Sequence, residues 1–192
     1  QKTLCRTASN IIASADMLVL SDYAKGCLPE TVTRQLIDAA KTAKKLIVAD
    51  PKVTDLSVYA DVDILTPNLQ ELSKSAGTSL IEIGAIGATA TRLAKTHHIG
   101  TIMTTLSARG ILASSADGTQ FHDPAKTRDV FDVSGAGDSL LSVMAVGLAC
   151  KEDMMTCSAI GACRAAIAVD TLGNYPVEKE LLKSKIIEVF KN

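Results

Sequence analysis

The segment Ser134-Gly-Ala-Gly-Asp138 places small residues and an acid where a helical pattern begins. Small residues before a helix let the backbone approach an anion closely, and the amides of the first turn point outward at the positive end of the helix dipole. A carboxylate at Asp138 would lie beside that anion site and could take the proton of an incoming hydroxyl. Phosphoryl transfer to an alcohol needs these two parts and, in addition, cations that neutralise charge.

The same segment also has a purely structural interpretation. An ordinary helix N-terminus favours a small hydroxyl residue at its cap, here Ser134, and an acid in its first turn, here Asp138. The short glycine pattern alone does not separate the two interpretations.

Short apolar runs alternate with helical periodicity in the first part of the chain. Runs bounded by turn residues predict buried strands, and apolar residues at helical spacing predict helices. The predicted strands are Met17–Leu20, Leu46–Ala49, Val62–Leu65 and Thr101–Thr104, and the predicted helices are Pro29–Lys44, one from Leu69, and Ser79–His97. This alternation predicts an α/β fold with a doubly wound, mostly parallel sheet and helices on both faces.

The pattern changes after the fourth predicted strand. Ile111–Ser114 and Thr119–His122 flank Ala116-Asp117-Gly118, which is typical of a hairpin. Three helices are then predicted, at Gly135–Ala149, at Asp153–Asp170 with Asp153 as the cap, and at Val177–Phe190.

Polar side chains follow the predicted parallel strands directly. In parallel sheets, ligands gather at the carboxyl ends of the strands, and these ends face one rim. We therefore expect one polar rim, formed by Asp22, Lys25, Asp50, Lys52, Asn68, Glu71, Thr105 and Ser107.

The composition limits the class of protein. With 192 residues, 47% of them hydrophobic, the chain can build one sizeable core, and we interpret residues 1–192 as a single domain. A net charge of -1, without a surplus of basic residues, argues against nucleic acid as a partner. No apolar stretch reaches the ~18 residues of a membrane span. The start shows no signal-peptide layout and no initiating Met, so we expect a cytoplasmic protein whose gene begins elsewhere.

The wider segment Asp132-Val-Ser-Gly-Ala-Gly-Asp-Ser-Leu-Leu-Ser-Val143 resembles the C-terminal signature of the PfkB carbohydrate kinases, the ribokinase-like family. The resemblance implies a ribokinase-like fold and a kinase that uses ATP and Mg²⁺. It implies that Asp138 is the catalytic base and that Asp132 belongs with the nucleotide-binding residues. It further implies an anion hole formed by the amides of Gly135, Ala136 and Gly137.

Two other segments match the family in the expected order. Thr66-Pro-Asn-Leu-Gln-Glu71 is similar to its N-x-x-E element, which implies that Asn68 and Glu71 organise phosphate, water and Mg²⁺, with Glu71 acting on the metal through water. Thr105-Leu-Ser-Ala-Arg-Gly110 is similar to the loop that lines the ribose and phosphates of the nucleotide. This implies cofactor contacts from Thr105, Ser107 and Gly110.

One branch of the family fits best. Leu20-Ser-Asp-Tyr-Ala-Lys-Gly26 and Val48-Ala-Asp-Pro-Lys52 resemble segments of the kinases that phosphorylate D-glycero-β-D-manno-heptose 7-phosphate, a step of ADP-heptose and lipopolysaccharide core synthesis. The resemblance implies a sugar phosphate as substrate, with transfer to its anomeric hydroxyl. Lys25 and Lys52, at strand ends, suit a partner that carries phosphate. As an alternative, both are ordinary loop lysines.

The sequence departs from the branch at several positions. Val53 stands where the branch has Gly, Arg109 lies in a loop that is elsewhere acidic or rich in glycine, and Asp170 begins an unusual stretch near the expected adenine pocket. The resemblance also covers only the C-terminal part of the family's kinase domain. We therefore expect the N-terminal strands to be missing, together with the β lid that often forms a homodimer interface.

Three alternatives follow from these departures. The first is another ribokinase-like kinase, acting on a different sugar or on a nucleoside. The second is a catalytically inactive nucleotide-binding fragment, which the missing lid would explain. The third, an unrelated dinucleotide-binding protein, is disfavoured because no G-x-G-x-x-G follows the first predicted strand.

Overall fold

The computed structural model describes residues 2–124, 136–170 and 177–190. The helices in this part of the chain are α1 (Lys2–Ile12), α2 (Glu30–Thr42), α3 (Leu69–Ala76), α4 (Ile83–Thr96), α5 (Ala136–Ala149), α6 (Met154–Asp170) and α7 (Lys179–Phe190). The strands are β1 (Met17–Ser21), β2 (Leu46–Asp50), β3 (Ile64–Leu65), β4 (Thr101–Thr105), β5 (Ile111–Ser115) and β6 (Gln120–Asp123). Two short 3₁₀ turns lie at Leu56–Tyr59 and Ser107–Arg109.

The strands form one sheet in the order β1-β2-β3-β4-β5-β6. The first four are parallel, with Ser21 opposite Asp50, Ala49 opposite Leu65, and Leu65 opposite Ile102. The predicted α/β fold with a mostly parallel sheet is therefore confirmed. The predicted hairpin is present as β5 and β6, whose connection is closed by a hydrogen bond from the Ser115 amide to the Thr119 carbonyl at 2.8 Å.

The chain divides into two compact units. The first is Gln1–Thr104 with Leu112–Gln120, and the second is Thr105–Ile111 with Phe121–Asn192. In the first unit, the central strands β2 and β3 are buried and α2 packs against β1 and β2. The buried residues of α2 fall at the helical spacing noted in the sequence and are Val32, Thr33, Leu36, Ile37 and Ala40. In the second unit, α5 packs closely against α6.

Strand β3 is shorter than predicted, covering Ile64–Leu65 instead of Val62–Leu65. Asp61 has a φ of 66, in the left-handed region, so the chain turns just before this point. The side chain of Asp63 then accepts a hydrogen bond from the Ile47 amide at 2.7 Å. A carboxylate thus replaces a backbone carbonyl at the position where the pairing of β2 and β3 begins.

Helix α4 begins at Ile83, four residues later than Ser79. Helix α3 ends shortly before, at Ala76, and Gly77 adopts the left-handed conformation and donates its amide to the carbonyls of Ser73 and Lys74. This is a common helix ending, and it requires a residue that tolerates a positive φ. Helix α1, which packs against α2, was not predicted from the sequence.

Candidate active site at the edge of the parallel sheet

Five of the predicted rim residues lie at the carboxyl ends of β1 to β3, in the first unit. Asp22 directly follows β1, Asp50 ends β2, Lys52 lies two residues further on, and Asn68 and Glu71 begin α3 after β3. Because these strands are parallel, their ends meet at one edge of the sheet. The structure therefore brings this group of side chains together, as the sequence predicts.

Lys52 lies between two carboxylates. Its Nζ is 2.9 Å from Asp50 Oδ2 and 2.9 Å from Glu71 Oε1, and its side chain is 31% exposed. Burial alone would lower the pKa of Lys52, but the hydrogen bonds to Glu71 and Asp50 and the charges of both carboxylates outweigh it and raise the pKa. Thr66 donates its hydroxyl towards the other oxygen of Asp50 at 3.4 Å. Lys52 therefore stays charged and is held in one position.

Asn68 and Glu71 form a reciprocal cap at the start of α3. Asn68 Oδ1 accepts from the Glu71 amide at 2.9 Å, and Glu71 Oε2 accepts from the Asn68 amide at 2.8 Å. This capping box follows directly from the N-x-x-E spacing, because the third helical residue can reach back to the cap. One oxygen of Glu71 thus fixes the helix start while the other binds Lys52. The N-x-x-E element (Asn68 to Glu71) and the lysine of the Asp50-Pro-Lys52 segment, called D-P-K below, are therefore parts of one hydrogen-bond network.

A second network, at the end of β1, contains a residue that the sequence did not single out. Tyr59 donates its hydroxyl to Asp22 Oδ2 at 2.8 Å, and the Lys52 amide donates to the Tyr59 oxygen at 3.4 Å. The other carboxylate oxygen of Asp22 accepts from the Ala24 amide at 2.9 Å. Burial and the hydrogen bond to Asp22 raise the pKa of Tyr59 above its ordinary range.

This raised pKa makes a prediction about alkaline stability. A phenol whose pKa is higher in the folded than in the unfolded state stabilises the fold fully below the unfolded pKa of about 10. That contribution is lost as pH rises from there towards the folded pKa. Tyr59 should therefore fail to ionise until the protein unfolds. Titration of the near-ultraviolet tyrosinate absorbance should show this late step, and Tyr59→Phe should remove it. A late step that persists in Tyr59→Phe would contradict the assignment.

Lys25 differs from Lys52 in its surroundings. It lies in the exposed loop between β1 and α2, and among the described residues it forms no ion pair. The preceding Ala24 has a φ of 52, a left-handed conformation. The hydrogen bond from its amide to the Asp22 side chain helps to hold this conformation. The structure thus fixes the turn before Lys25 and leaves its side chain facing solvent.

Three predicted nucleotide contacts lie in the connection between β4 and β5, in the second unit. Thr105 ends β4, and Ser107 begins a 3₁₀ turn with a φ of 53. Gly110 follows with φ 87 and ψ -137, a conformation that only glycine adopts readily. The loop is closed by the Leu106 amide, which donates to the Gly110 carbonyl at 2.8 Å. A tight backbone turn therefore exposes Ser107 at the position where the sequence predicts contact with a nucleotide.

Of the glycine turn, the segment Ser134-Gly-Ala-Gly-Asp138, the structure describes only the part from Ala136 onward. Helix α5 begins at Ala136, and Gly137 and Asp138 are exposed in its first turn. A Cβ built at Gly137 would have no atom of the described residues within 4 Å, so none of these residues fills the space beside this turn. Asp132 and Gly135 lie outside the described residues.

These residues can be tested for their fit to a nucleotide and its metal. A helix start with small residues, as at Ala136 and Gly137, suits phosphate, because first-turn amides and the dipole favour an anion there. Among the residues described, no three His, Cys, Asp or Glu side chains cluster as a metal site. The rim instead offers Asp50 and Glu71. That suits Mg²⁺, which keeps several waters and binds through one or two carboxylates together with substrate phosphates.

Comparison with solved structures defines the class of fold. The chain superimposes on Arabidopsis thaliana ribokinase complexed with ribose and ATP with a TM-score of 0.83 at 20% identity, over 94% of this chain and 58% of that one. The TM-score is 0.81 at 17% identity for phosphofructokinase-2 from Escherichia coli in complex with potassium, over 96% of this chain and 62% of that one. The fold is ribokinase-like.

Sequence comparison defines the family. The model of the pfkB family carbohydrate kinases matches residues 2–180. The chain therefore belongs to the pfkB family.

The chain is also similar to longer proteins of known name. It is 39% identical over 146 residues to the bifunctional protein HldE of Acidiphilium cryptum, over 76% of this chain and 30% of that protein. It is 35% identical over 186 residues to the bifunctional protein HldE of Azorhizobium caulinodans, over 97% of this chain and 39% of that protein. The chain thus spans less than two fifths of the length of these relatives.

Within the described part of the chain, we find no helix whose length and apolar character would let it cross a membrane.

Proposed function

We propose that this chain is the nucleotide-binding and catalytic part of an ATP-dependent kinase that phosphorylates the anomeric hydroxyl of D-glycero-β-D-manno-heptose 7-phosphate. Membership of the pfkB family and similarity to the HldE proteins support a carbohydrate kinase. The observation that carries the choice of this branch is the shared network of Lys52, Asp50 and Glu71 at the sheet edge. It joins the D-P-K segment of the proposed branch to the N-x-x-E element of the whole family.

In the proposed reaction, Asp138 takes the proton of the anomeric hydroxyl while that oxygen forms a bond to the γ-phosphorus of ATP. The bond from the γ-phosphorus to the bridging oxygen breaks, and ADP leaves. The amides of Gly135, Ala136 and Gly137 would stabilise the charge on the transferring group, as first-turn amides do for anions. When bound, Mg²⁺ neutralises the phosphates. An exposed carboxylate in the first turn of α5 supports this role for Asp138.

The remaining site residues have proposed roles in binding. Asn68 and Glu71 would order the hydrated metal, since both are held by the capping box. Lys25 and Lys52 would face the phosphate of the sugar, while the nucleotide would be contacted by Thr105, Ser107, Gly110 and Asp132. We infer a cytoplasmic location, because ATP is the phosphate donor. A homodimer and a single domain over residues 1–192 stay predictions.

A substrate panel tests the proposal. The protein that contains this chain, in its full length, is assayed by coupled ADP release with heptose 7-phosphate, with unphosphorylated heptose, ribose and fructose 6-phosphate, and with a nucleoside. We expect the highest kcat/KM with heptose 7-phosphate and dependence on Mg²⁺. Preference for another sugar or for the nucleoside would replace the proposed substrate. Binding of ATP without turnover of any acceptor would indicate a nucleotide-binding protein instead.

A further inference from the structure

The buried hydroxyl of Tyr59 connects two loops of the rim, and none of the roles proposed above includes it. Tyr59 is 0% exposed and Asp22 is 4% exposed, so their 2.8 Å hydrogen bond lies inside the protein. Both oxygens of Asp22 are used, one by Tyr59 and one by the Ala24 amide. A buried carboxylate with two donors is costly to disturb, because losing either donor leaves charge without compensation.

The position of Tyr59 is built into the chain locally. Asp55 accepts a hydrogen bond from the Ser57 amide at 2.9 Å and so starts the 3₁₀ turn Leu56–Tyr59. Hydrogen bonding to Ser57 lowers the pKa of Asp55, which therefore stays ionised in its capping role. Leu56, Val58 and Tyr59 are buried by this turn. The aromatic ring anchors the turn in the core while its hydroxyl reaches the ends of β1 and β2.

We propose that Tyr59 is a positioning residue, whose hydroxyl sets the spacing between the loop that carries Lys25 and the loop that carries Lys52. It acts on the first loop through Asp22, which holds the turn at Ala24, and on the second through the backbone amide of Lys52. This inference rests on the proposed function in one respect, namely that Lys25 and Lys52 bind the phosphate of the sugar. Tyr59 itself is fully buried, so it acts only through these two loops.

Its effect should therefore appear in binding rather than in the chemical step. A lysine ammonium binds phosphate as a point charge, so its strength depends on where the loop places it. The side chain of Lys52 is also fixed by Asp50 and Glu71, whereas Lys25 depends on the backbone of its loop alone. Loss of the Tyr59 hydroxyl should consequently affect Lys25 more than Lys52.

The test compares Tyr59→Phe with wild type in the full-length protein. Phenylalanine keeps the buried ring and removes only the hydroxyl. We expect KM for heptose 7-phosphate to rise roughly five- to twentyfold, near the lower end of the scale of one hydrogen bond to a charged group, with kcat changed less than about threefold. The KM for ATP should stay within about twofold, since the hydroxyl acts on the sugar-phosphate side. Asp22→Asn should give a similar rise, and the double variant should be no worse than either single variant.

A matched control separates positioning from lost stability. Ile86 is fully buried in α4, outside this network, and Ile86→Val should lower stability comparably while KM for the sugar phosphate stays unchanged. An equal rise of KM in Ile86→Val, or an unchanged KM in Tyr59→Phe with an active wild type, would overturn the inference.

A second measurement does not depend on turnover. Amide hydrogen exchange in residues 22–26 and 52–54 should be faster in Tyr59→Phe and unchanged in Ile86→Val. If the wild-type protein phosphorylates none of the sugars, the proposed function fails. The hydrogen-exchange rates would still test the positioning role. If both loops exchange at the same rates in Tyr59→Phe as in wild type, that role is refuted.

Discussion

Replacing Asp138 with asparagine in the full-length protein should lower kcat for sugar phosphorylation at least ~10²-fold, the scale of a positioned general base. Asparagine has nearly the same shape as aspartate and keeps its place in the first turn of α5, but it cannot accept the proton of the sugar hydroxyl. Because the proton moves only in the transition state, kcat/KM should fall as far as kcat, and KM for ATP should change little. Steady-state coupled ADP release with varied sugar and varied ATP measures all three quantities.

The chain provides a matched control for the structural interpretation of Asp138. Glu180 is likewise an exposed acid in the first turn of a helix, α7, in the same unit. Glu180→Gln removes the same favourable interaction with a helix dipole, which is worth about 0.3–1 kcal/mol. If Asp138 served the dipole only, the two variants would lose similar stability and both would keep their activity. Turnover of Asp138→Asn within threefold of wild type would eliminate it as the base.

The sequence predicted the elements that local rules define. Buried strands such as Leu46–Asp50 are short apolar runs with sharp ends, and the polar residues after them had to face one edge once the strands were parallel. The pairing of Asn68 with Glu71 also follows from local spacing, since a capping box needs only one helical turn. These features place Asp50, Lys52 and Glu71 together before any coordinates are known.

Contacts between distant residues could not be predicted in this way. Tyr59 and Asp22 are 37 positions apart, and no periodicity links a tyrosine in a turn to an acid after another strand. The ion pairs of Lys52 were likewise invisible, so the sequence indicated a lysine for phosphate without its two carboxylate partners. Strand β3 was predicted too long at its start, where the side chain of Asp63 accepts from the Ile47 amide, a contact that no propensity describes.

The start of β4 carries the second large prediction. Gly100 lies against β3 so closely that a Cβ there would be 2.6 Å from the Asp63 carbonyl oxygen, 3.3 Å from its carbon and 3.4 Å from its Cα. These are backbone atoms, which cannot rotate away as a side chain can. The contact with the added Cβ can therefore be relieved only by moving one strand. The amides of Gly100 and Thr101 donate to Val62 and Asp63 at 3.0 and 2.9 Å, and these bonds would stretch. We expect Gly100→Ala to lower the free energy of unfolding by about 2 kcal/mol, within the usual cost of overpacking.

Two other glycines make this prediction specific to the backbone contact. Gly84 lies in α4 with no described atom within 4 Å of an added Cβ, so Gly84→Ala should be neutral or should stabilise by up to about 1 kcal/mol through helix propensity. In Gly87→Ala, the three atoms nearest to the added Cβ belong to the end of the Gln120 side chain, which can rotate away, so this variant should be close to neutral. Thermal unfolding of the three variants measures the difference. We expect Tm to be lowered by about 4–8 °C in Gly100→Ala and not to be lowered in the other two. A Gly100→Ala protein with the same Tm as wild type would show that β3 and β4 can separate slightly without loss of stability. The parallel edge would then tolerate displacement at Asp63, the residue that also holds the start of β2 through the Ile47 amide.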